Sequence, residues 1–544
     1  MSAPARGRIA AAPLLWGILV LAAAAIRTVD ARRPADGRVR ESWRECDYAA
    51  VARNFVREGM DILSPRIDWR GDGPGFAEME FPVVPWTMAA LDKAFGYSEE
   101  RGRWLMVAAS LLALGAFVAL ARAVLPPAGA LAASAVFAFS PLAVRVSNSL
   151  QPESLMLCLL VAAVYAFLRW LEKDGWVWYG LALASTAAAV LVKLPAAHVG
   201  LLFLFLLLER GGPAGLKRLR VWLFGAGALL PGILWYAHAH RFWTVYGNSL
   251  GVSNESHWFG LDLLARPGAL LRLVDNLARL ETGLVFTPLG VLLAVAAVAA
   301  IRRSRAAREA RGAQAPESRA ARIGAFWLIA AAVFYAAALR TTGDTWAAYY
   351  HVASAPAAAL LIGAGFVAMR KPRDDRSDYF NSRFAATAAL LLAGVLGFEG
   401  LMIVRGFHPS RFTGLYSCAQ AFKPLIPEGS LVLCSGGLSR DETGKPVAYN
   451  ASYMFFWLDR KGFSIPADRY SLEAVGGFTR RGARFFVLEK EGAAAPSSDF
   501  VEGLKGRASL AAECPEAYLF KLDETRPPGS GGPLLPRSSG RRRC

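Results

Sequence analysis

The sequence predicts a polytopic α-helical membrane protein of about eleven transmembrane helices, with a small α/β domain at its C-terminal end. Three observations predict it. Hydrophobic residues make up 54% of the 544-residue chain, more than a soluble protein of this size can bury. They gather in windows of about 17–25 residues, the length of a helix that crosses a bilayer. Arg and Lys, finally, concentrate in alternate short connections, the asymmetry that orients membrane helices.

The spans are read at 9–26, 103–124, 127–145, 153–171, 176–192, 194–208, 220–238, 284–301, 323–340, 349–369 and 384–404. Ile9–Ile26 follows Arg6 and Arg8 and has the outline of a signal peptide. The many later spans, and the amphipathic helix that must be tethered after it, favour a retained anchor. With a cytoplasmic N-terminus, three basic loops all fall inside: Arg210 to Arg220, Arg302 to Arg322, and Arg370 to Arg383. The outer face then holds residues 27–102, the junction Arg145–Pro152, the loop 239–283 and everything after about residue 405. The Ala- and Arg-rich composition points to a bacterial cytoplasmic (inner) membrane.

The net charge of +18 is therefore a topology signal and gives no basic stripe for nucleic acid. Six cysteines form no C-x-x-C pair and show no metal-ligand spacing. Cys418, Cys434 and Cys514 fall on the outer side, where a disulfide is permitted, with the pairing left open. His238, His240 and His257 lack the spacing of a metal site, since residues at i and i+2 do not share a helix face. In the loop 239–283, Trp243, Tyr246, Trp258 and Phe259 are headgroup anchors or one wall of a lipid groove, beside a helical stretch at 262–281.

The C-terminal part changes character. Ser430–Cys434, Phe485–Glu489 and Ala517–Leu522 are short β-like runs, with helical stretches at 448–461 and 471–481 between the first two. Such alternation predicts a small α/β domain over 406–525, after a membrane domain over 1–405. The Pro-, Gly-, Ser- and Arg-rich tail, 526–544, reads as disordered.

Chemistry concentrates in the first outer loop. Asp47 opens an amphipathic helix, W-R-E-C-D-Y-A-A-V-A-R-N-F from Trp43, and suits its first turn. As a carboxylate beside Arg44, Arg53 and Trp43 at a lipid interface, it is also a candidate general base. Glu78 and Glu80 precede Phe81-Pro82, where the prolines alone explain a helix start. Glu153 follows Gln151-Pro152 at the outer start of the fourth span, where it complements the helix dipole. Lys193 interrupts an apolar run; it either snorkels to the interface or compensates an anionic ligand. Tyr350 and His351 open the tenth span, with Arg340 and Asp344 just before it.

R-x-x-D-x-x-x-x-A-R-N-F, then S-P-R-I-D-W-R-G and E-F-P before an apolar helix, resembles the GT-C type membrane glycosyltransferases that use polyprenyl-phosphate sugars. The resemblance runs over about residues 9–200. It is strongest to the dolichyl-phosphate-mannose–protein mannosyltransferase-like branch, which includes lipid A aminoarabinose transferases. The resemblance implies a GT-C-like fold with Asp47, Glu80 and Glu153 as catalytic residues. It implies that Arg44, Arg53, Glu78, Lys193, Tyr350 and His351 bind substrate, with Lys193 and His351 toward the lipid phosphate. The partners would be a polyprenyl-phosphate sugar donor, a lipid, glycan or protein acceptor, and membrane lipids. Neither nucleotide nor metal is called for, though a divalent cation is compatible. The loop departs from the common D-E form, with Cys46 before Asp47 and Tyr48 after it, which leaves the donor and acceptor open. A flippase of polyprenyl-linked saccharides would carry charges midway along its spans; a ligase using a diphosphate donor would not need the first-loop motif.

Overall fold

A computed structural model describes residues 6–37, 42–251, 260, 263, 265, 267–311, 316–343, 345–370, 378–406, 412–440, 444, 446–491 and 495–522. His257, Trp258, Phe259, Asp344 and the tail 526–544 lie outside these residues. The chain divides into two compact units, Met1–Ile67 with Pro74–Thr413, and Asp68–Gly73 with Gly414–Cys544. The boundary falls a little after the change of composition at residue 405. No compositional signal marked the excursion Asp68–Gly73.

The first unit is helical. Its elements begin with α1 (Arg6–Thr28), α2 (Ser42–Glu58), α3 (Val83–Phe95), α4 (Glu99–Val124), α5 (Pro127–Phe139) and α6 (Pro141–Val146). They continue with α7 (Glu153–Lys173), α8 (Trp176–Val192), α9 (Val199–Gly211), α10 (Leu219–Tyr246), α11 (Pro267–Leu280) and α12 (Pro288–Arg311). The unit closes with α13 (Pro316–Ala337), α14 (Leu339–Thr342), α15 (Ala355–Arg370) and α16 (Asp378–Gly406). Among the described residues, seven helices are long and apolar enough to cross a membrane, or eight if the bent pair Leu270–Val285 and Pro288–Arg302 counts as one span. Three shorter apolar helices, Pro13–Thr28, Pro127–Phe139 and Trp176–Val192, complete the set. The expected spans overlap these segments, but the one read at 127–145 is broken at Ser140 into α5 and α6.

The helices meet through small side chains, which is how membrane helices approach closely without a hydrophobic drive between them. α15 is the inner member, almost wholly buried between α5, α12 and α13. A methyl group added at its Gly363 would stand 2.8 Å from the carbonyl of Gly129 and 2.7 Å from Cβ of Ala133, both on α5. On α13, a methyl at Gly324 would stand 2.9 Å from the carbonyl of Ala357. α8 ends at Val192, Lys193 is extended, and Leu194–His198 forms a 3-10 turn before α9. The polar connection thus interrupts the apolar run at the lysine.

The second unit carries a five-stranded mixed sheet built from β1 (Leu431–Ser435), β2 (Lys461–Ile465), β3 (Ala483–Glu489), β4 (Ser509–Glu513) and β5 (Ala517–Lys521), in the order β2-β1-β3-β5-β4. β2, β1 and β3 are parallel, and β5 and β4 continue antiparallel. α18 (Ser452–Leu458) and α19 (Leu472–Arg480) make the two crossovers. Leu433, Phe463, Phe486, Leu488 and Phe520 fill the core. α17 (Phe412–Phe422) is fastened to the sheet by a Cys418–Cys514 disulfide with Cα atoms 5.9 Å apart. The helix expected at 448–461 is shorter than predicted. It stops at Asp459, which adopts the left-handed conformation, and the residues after it become β2.

Candidate active site

α2 sets the geometry. Arg44 and Tyr48, four residues apart, share one face, and both reach Glu80, which comes from the loop before α3. Arg44 Nη2 lies 2.9 Å from Glu80 Oε1, and the Tyr48 hydroxyl donates to Glu80 Oε2 at 3.0 Å. Arg44 Nη1 also donates to the Tyr349 hydroxyl at 3.1 Å, with the guanidinium 5.2 Å from that ring. Asp47, three residues after Arg44, flanks this face and is buried. Burial pushes the Glu80 carboxyl up, but Arg44 and Lys193 outweigh it and hold the group below the ordinary carboxylate range. Burial, then the Glu80 charge, pushes the Tyr48 phenol well up, so Tyr48 remains a donor.

Lys193 enters from the α8–α9 break. Its ammonium pairs with the Glu153 carboxylate at the start of α7 and lies 4.8 Å from the ring centres of both Tyr349 and Tyr350. A charge held over two aromatic faces is stabilised without losing access to a further anion. Glu80, Lys193, Tyr236, Thr341, Thr342 and Tyr350 border a pocket that opens to its surroundings. Arg44, Asp47 and Glu153 are not among its lining residues; Arg44 is one hydrogen bond behind the wall, through Glu80. Two polar atoms of the cluster have no hydrogen-bond partner among the described residues, Nε of Arg44 and Oε2 of Glu153.

The other residues read from sequence are placed differently. Glu78 is wholly buried; Ser249 Oγ donates to it at 2.5 Å, His240 Nδ1 lies 3.2 Å away, and its backbone pairs with Asn248 and Leu250. It fastens the loop after α10. His238 faces the Leu63 carbonyl at 2.9 Å. His351 is wholly buried, its Nδ1 2.6 Å from Glu281 and its Nε2 2.8 Å from the Thr342 carbonyl, so both ring nitrogens are engaged. It steadies the wall that carries Thr342, while its neighbour Tyr350 faces the cavity. Arg53 is buried farther along α2. Tyr48, Tyr236 and the Glu45–Arg103 pair were not singled out from sequence. The spacing of Tyr48 from Arg44 was the available signal for the first. Among the described residues, the group with metal-capable atoms at ligand distance is Cys418, Cys514 and Glu516, and its two cysteines are joined to each other.

With this geometry in place, the comparisons with known proteins fall into line. Residues 74–236 match the family model described as Dolichyl-phosphate-mannose-protein mannosyltransferase. The matched stretch contains Glu78, Glu80, Glu153 and Lys193 and begins after Asp47. ArnT from Cupriavidus metallidurans in the apo state is 15% identical and aligns over 94% of this chain and 98% of its own, with a TM-score of 0.56. The same protein bound to undecaprenyl phosphate gives 16% identity, 93% and 97% coverage, and a TM-score of 0.53. The Archaeoglobus fulgidus oligosaccharyltransferase tethered with an acceptor peptide gives 13% identity, 87% and 68% coverage, and a TM-score of 0.53. No curated protein matches the chain in sequence. The chain has the GT-C membrane fold of these solved structures. The resemblance drawn from its motifs holds for fold and family model.

Proposed function

We propose that this protein is a membrane glycosyltransferase that moves a sugar from a polyprenyl-phosphate donor to an acceptor on the outer side of the cytoplasmic membrane. The observation that carries the reading is the cavity. On a GT-C fold, a lysine and an aromatic wall border a space, with Arg44 held one hydrogen bond behind it by Glu80. That chemistry suits a phosphate on an apolar tail. The Cys418–Cys514 disulfide supports an outer location for the second unit, since such bonds persist in oxidising compartments.

In this reading Asp47 takes the proton of an acceptor hydroxyl or amine. The acceptor heteroatom forms a bond to the anomeric carbon on the side opposite the phosphate. The C–O bond to the lipid phosphate breaks, and its electron pair leaves on the phosphate oxygen, so the anomeric configuration inverts. Lys193 and Arg44 meet the charge that develops there. Glu80 holds Arg44, and Glu153 pairs with Lys193 until a phosphate shares it. Tyr350 walls the cavity, Arg53 serves the polar end of the substrate from α2, and Glu78 and His351 act through the loops they secure.

Native mass spectrometry of the detergent-purified protein beside its Asp47→Asn variant tests this. The expected result is a glycosylated polyprenyl phosphate retained on the variant and bare polyprenyl phosphate on the wild type, with transfer reduced about 10²–10⁴-fold. Absence of any polyprenyl lipid from both forms would sink the donor assignment.

A further inference from the structure

The opposite side of α2 carries an arrangement that the catalytic reading does not use. Arg103, at the start of α4, is wholly buried, and every one of its N–H groups is engaged. Nε donates to the Arg33 carbonyl at 2.6 Å. Nη1 donates to Glu45 Oε1 at 2.9 Å and to the Asn148 carbonyl at 2.8 Å. Nη2 donates to the Pro34 carbonyl at 3.1 Å and to Glu45 Oε2 at 3.4 Å. Glu45 Oε1 accepts in addition from the Leu150 amide at 3.2 Å. A guanidinium has five donors in a fixed fork, and here the fork is saturated.

These bonds join four segments: the loop after α1, helix α2, the start of α4, and the α6–α7 junction. Two of them carry site residues. Glu45 lies next to Arg44 and two residues before Asp47. Leu150 and Asn148 lie just ahead of Glu153. We infer that Glu45 and Arg103 are positioning residues, a rigid clamp that sets α2 against the α6–α7 junction and thereby fixes Arg44 and Asp47 relative to Glu153 and Lys193. The inference rests on the reading of the cavity as a lipid-phosphate site. Packing alone would be served as well by a hydrophobic pair of the same volume, because a buried ion pair is a weak source of stability. The fork adds direction: it accepts one orientation of α2.

The test uses the full-length protein in lipid nanodiscs with undecaprenyl phosphate as the probe. In the double variant Glu45→Gln/Arg103→Met no charge is left orphaned, so it melts well above Arg103→Met alone, although the Arg33, Pro34 and Asn148 carbonyls lose their donor. Probe binding is expected to weaken about tenfold, the loss of one charge-assisted hydrogen bond. Arg103→Lys, which keeps the charge and loses the fork, is expected to weaken it similarly. A double variant that binds like wild type, or binding that falls only in step with melting temperature, overturns the inference. Cys46 supplies a readout independent of any ligand, because it is wholly buried on α2 between Glu45 and Asp47. Its labelling by a maleimide should accelerate in the double variant. If the wild type fails to bind undecaprenyl phosphate, the donor reading fails on its own. The clamp is then judged by Cys46, and unchanged protection of that thiol overturns it.

Discussion

Two buried charge clusters flank α2, and they are finished to different degrees. Around Arg103 every donor has an acceptor, and the carboxylate it holds is bonded from two directions. Around Arg44, Glu80, Lys193 and Glu153 the cations are paired, but Nε of Arg44 and Oε2 of Glu153 have no hydrogen-bond partner among the described residues. One arrangement closes on itself and the other leaves capacity beside a cavity. The first cluster ties four chain segments together, while the second presents Glu80 and Lys193 to open space.

The largest effect that would sharpen this contrast comes from Arg103→Met alone. It leaves Glu45 buried without a counter-charge, and the expected loss is about 3–5 kcal/mol of stability, measured as denaturant midpoint or melting temperature. A loss below about 1 kcal/mol would show that water reaches Glu45 and that the clamp is not closed. Next comes the same chemical change made in both clusters. Glu153→Gln releases Lys193 for a phosphate and should tighten undecaprenyl phosphate binding by about 1 kcal/mol, whereas Glu45→Gln should weaken it. Equal signs for the two variants would break the comparison.

The smallest effect is on acid stability. Glu45 and Glu80 are each pushed up by burial and then carried below the ordinary range, by Arg103 in the first case and by Arg44 in the second. A carboxylate depressed in the folded state contributes stability above its unfolded value of about 4.3. That contribution is lost as pH falls through the lower, folded value. Melting temperature should therefore hold between neutral pH and about 5 and drop below about 4, less steeply in the Glu45→Gln/Arg103→Met variant. A decline already complete above pH 5 would assign acid lability to other groups.

Much of this was legible in the chain. The apolar windows overlap the apolar helices, and R-x-x-D with E-F-P pointed to Arg44 and Glu80, which the structure brings together. Lys193 stood out because a charge inside an apolar run has to be accounted for. Contacts between residues remote in sequence were not legible. Tyr349 meets Arg44 across 305 positions and Arg103 meets Glu45 across 58, and neither separation leaves a local pattern. His351 looked like a phosphate ligand because of its neighbours, while its engaged nitrogens are visible only in three dimensions. In the second unit, β2 was absorbed into a predicted helix because apolar residues continue past Leu458, and only the backbone at Asp459 separates the two. β4, an exposed edge strand, lacks the alternation that marks a half-buried one.

The excursion Asp68–Gly73 has a consequence for how this protein can be cut. The Gly71 amide donates to the Gly462 carbonyl at 2.6 Å, and the Gly462 amide donates to the Asp68 carbonyl at 3.1 Å. Arg481 pairs with Asp72 at 2.7 Å. Residues from the first loop thus hem the outer margin of β2, and the sheet is sewn from two lengths of chain separated by more than three hundred positions. A fragment beginning at Gly414 would leave that hem undone, with bare backbone groups open to pairing with other molecules. Excised at the obvious seam, the second unit should self-associate unless the missing strip is supplied.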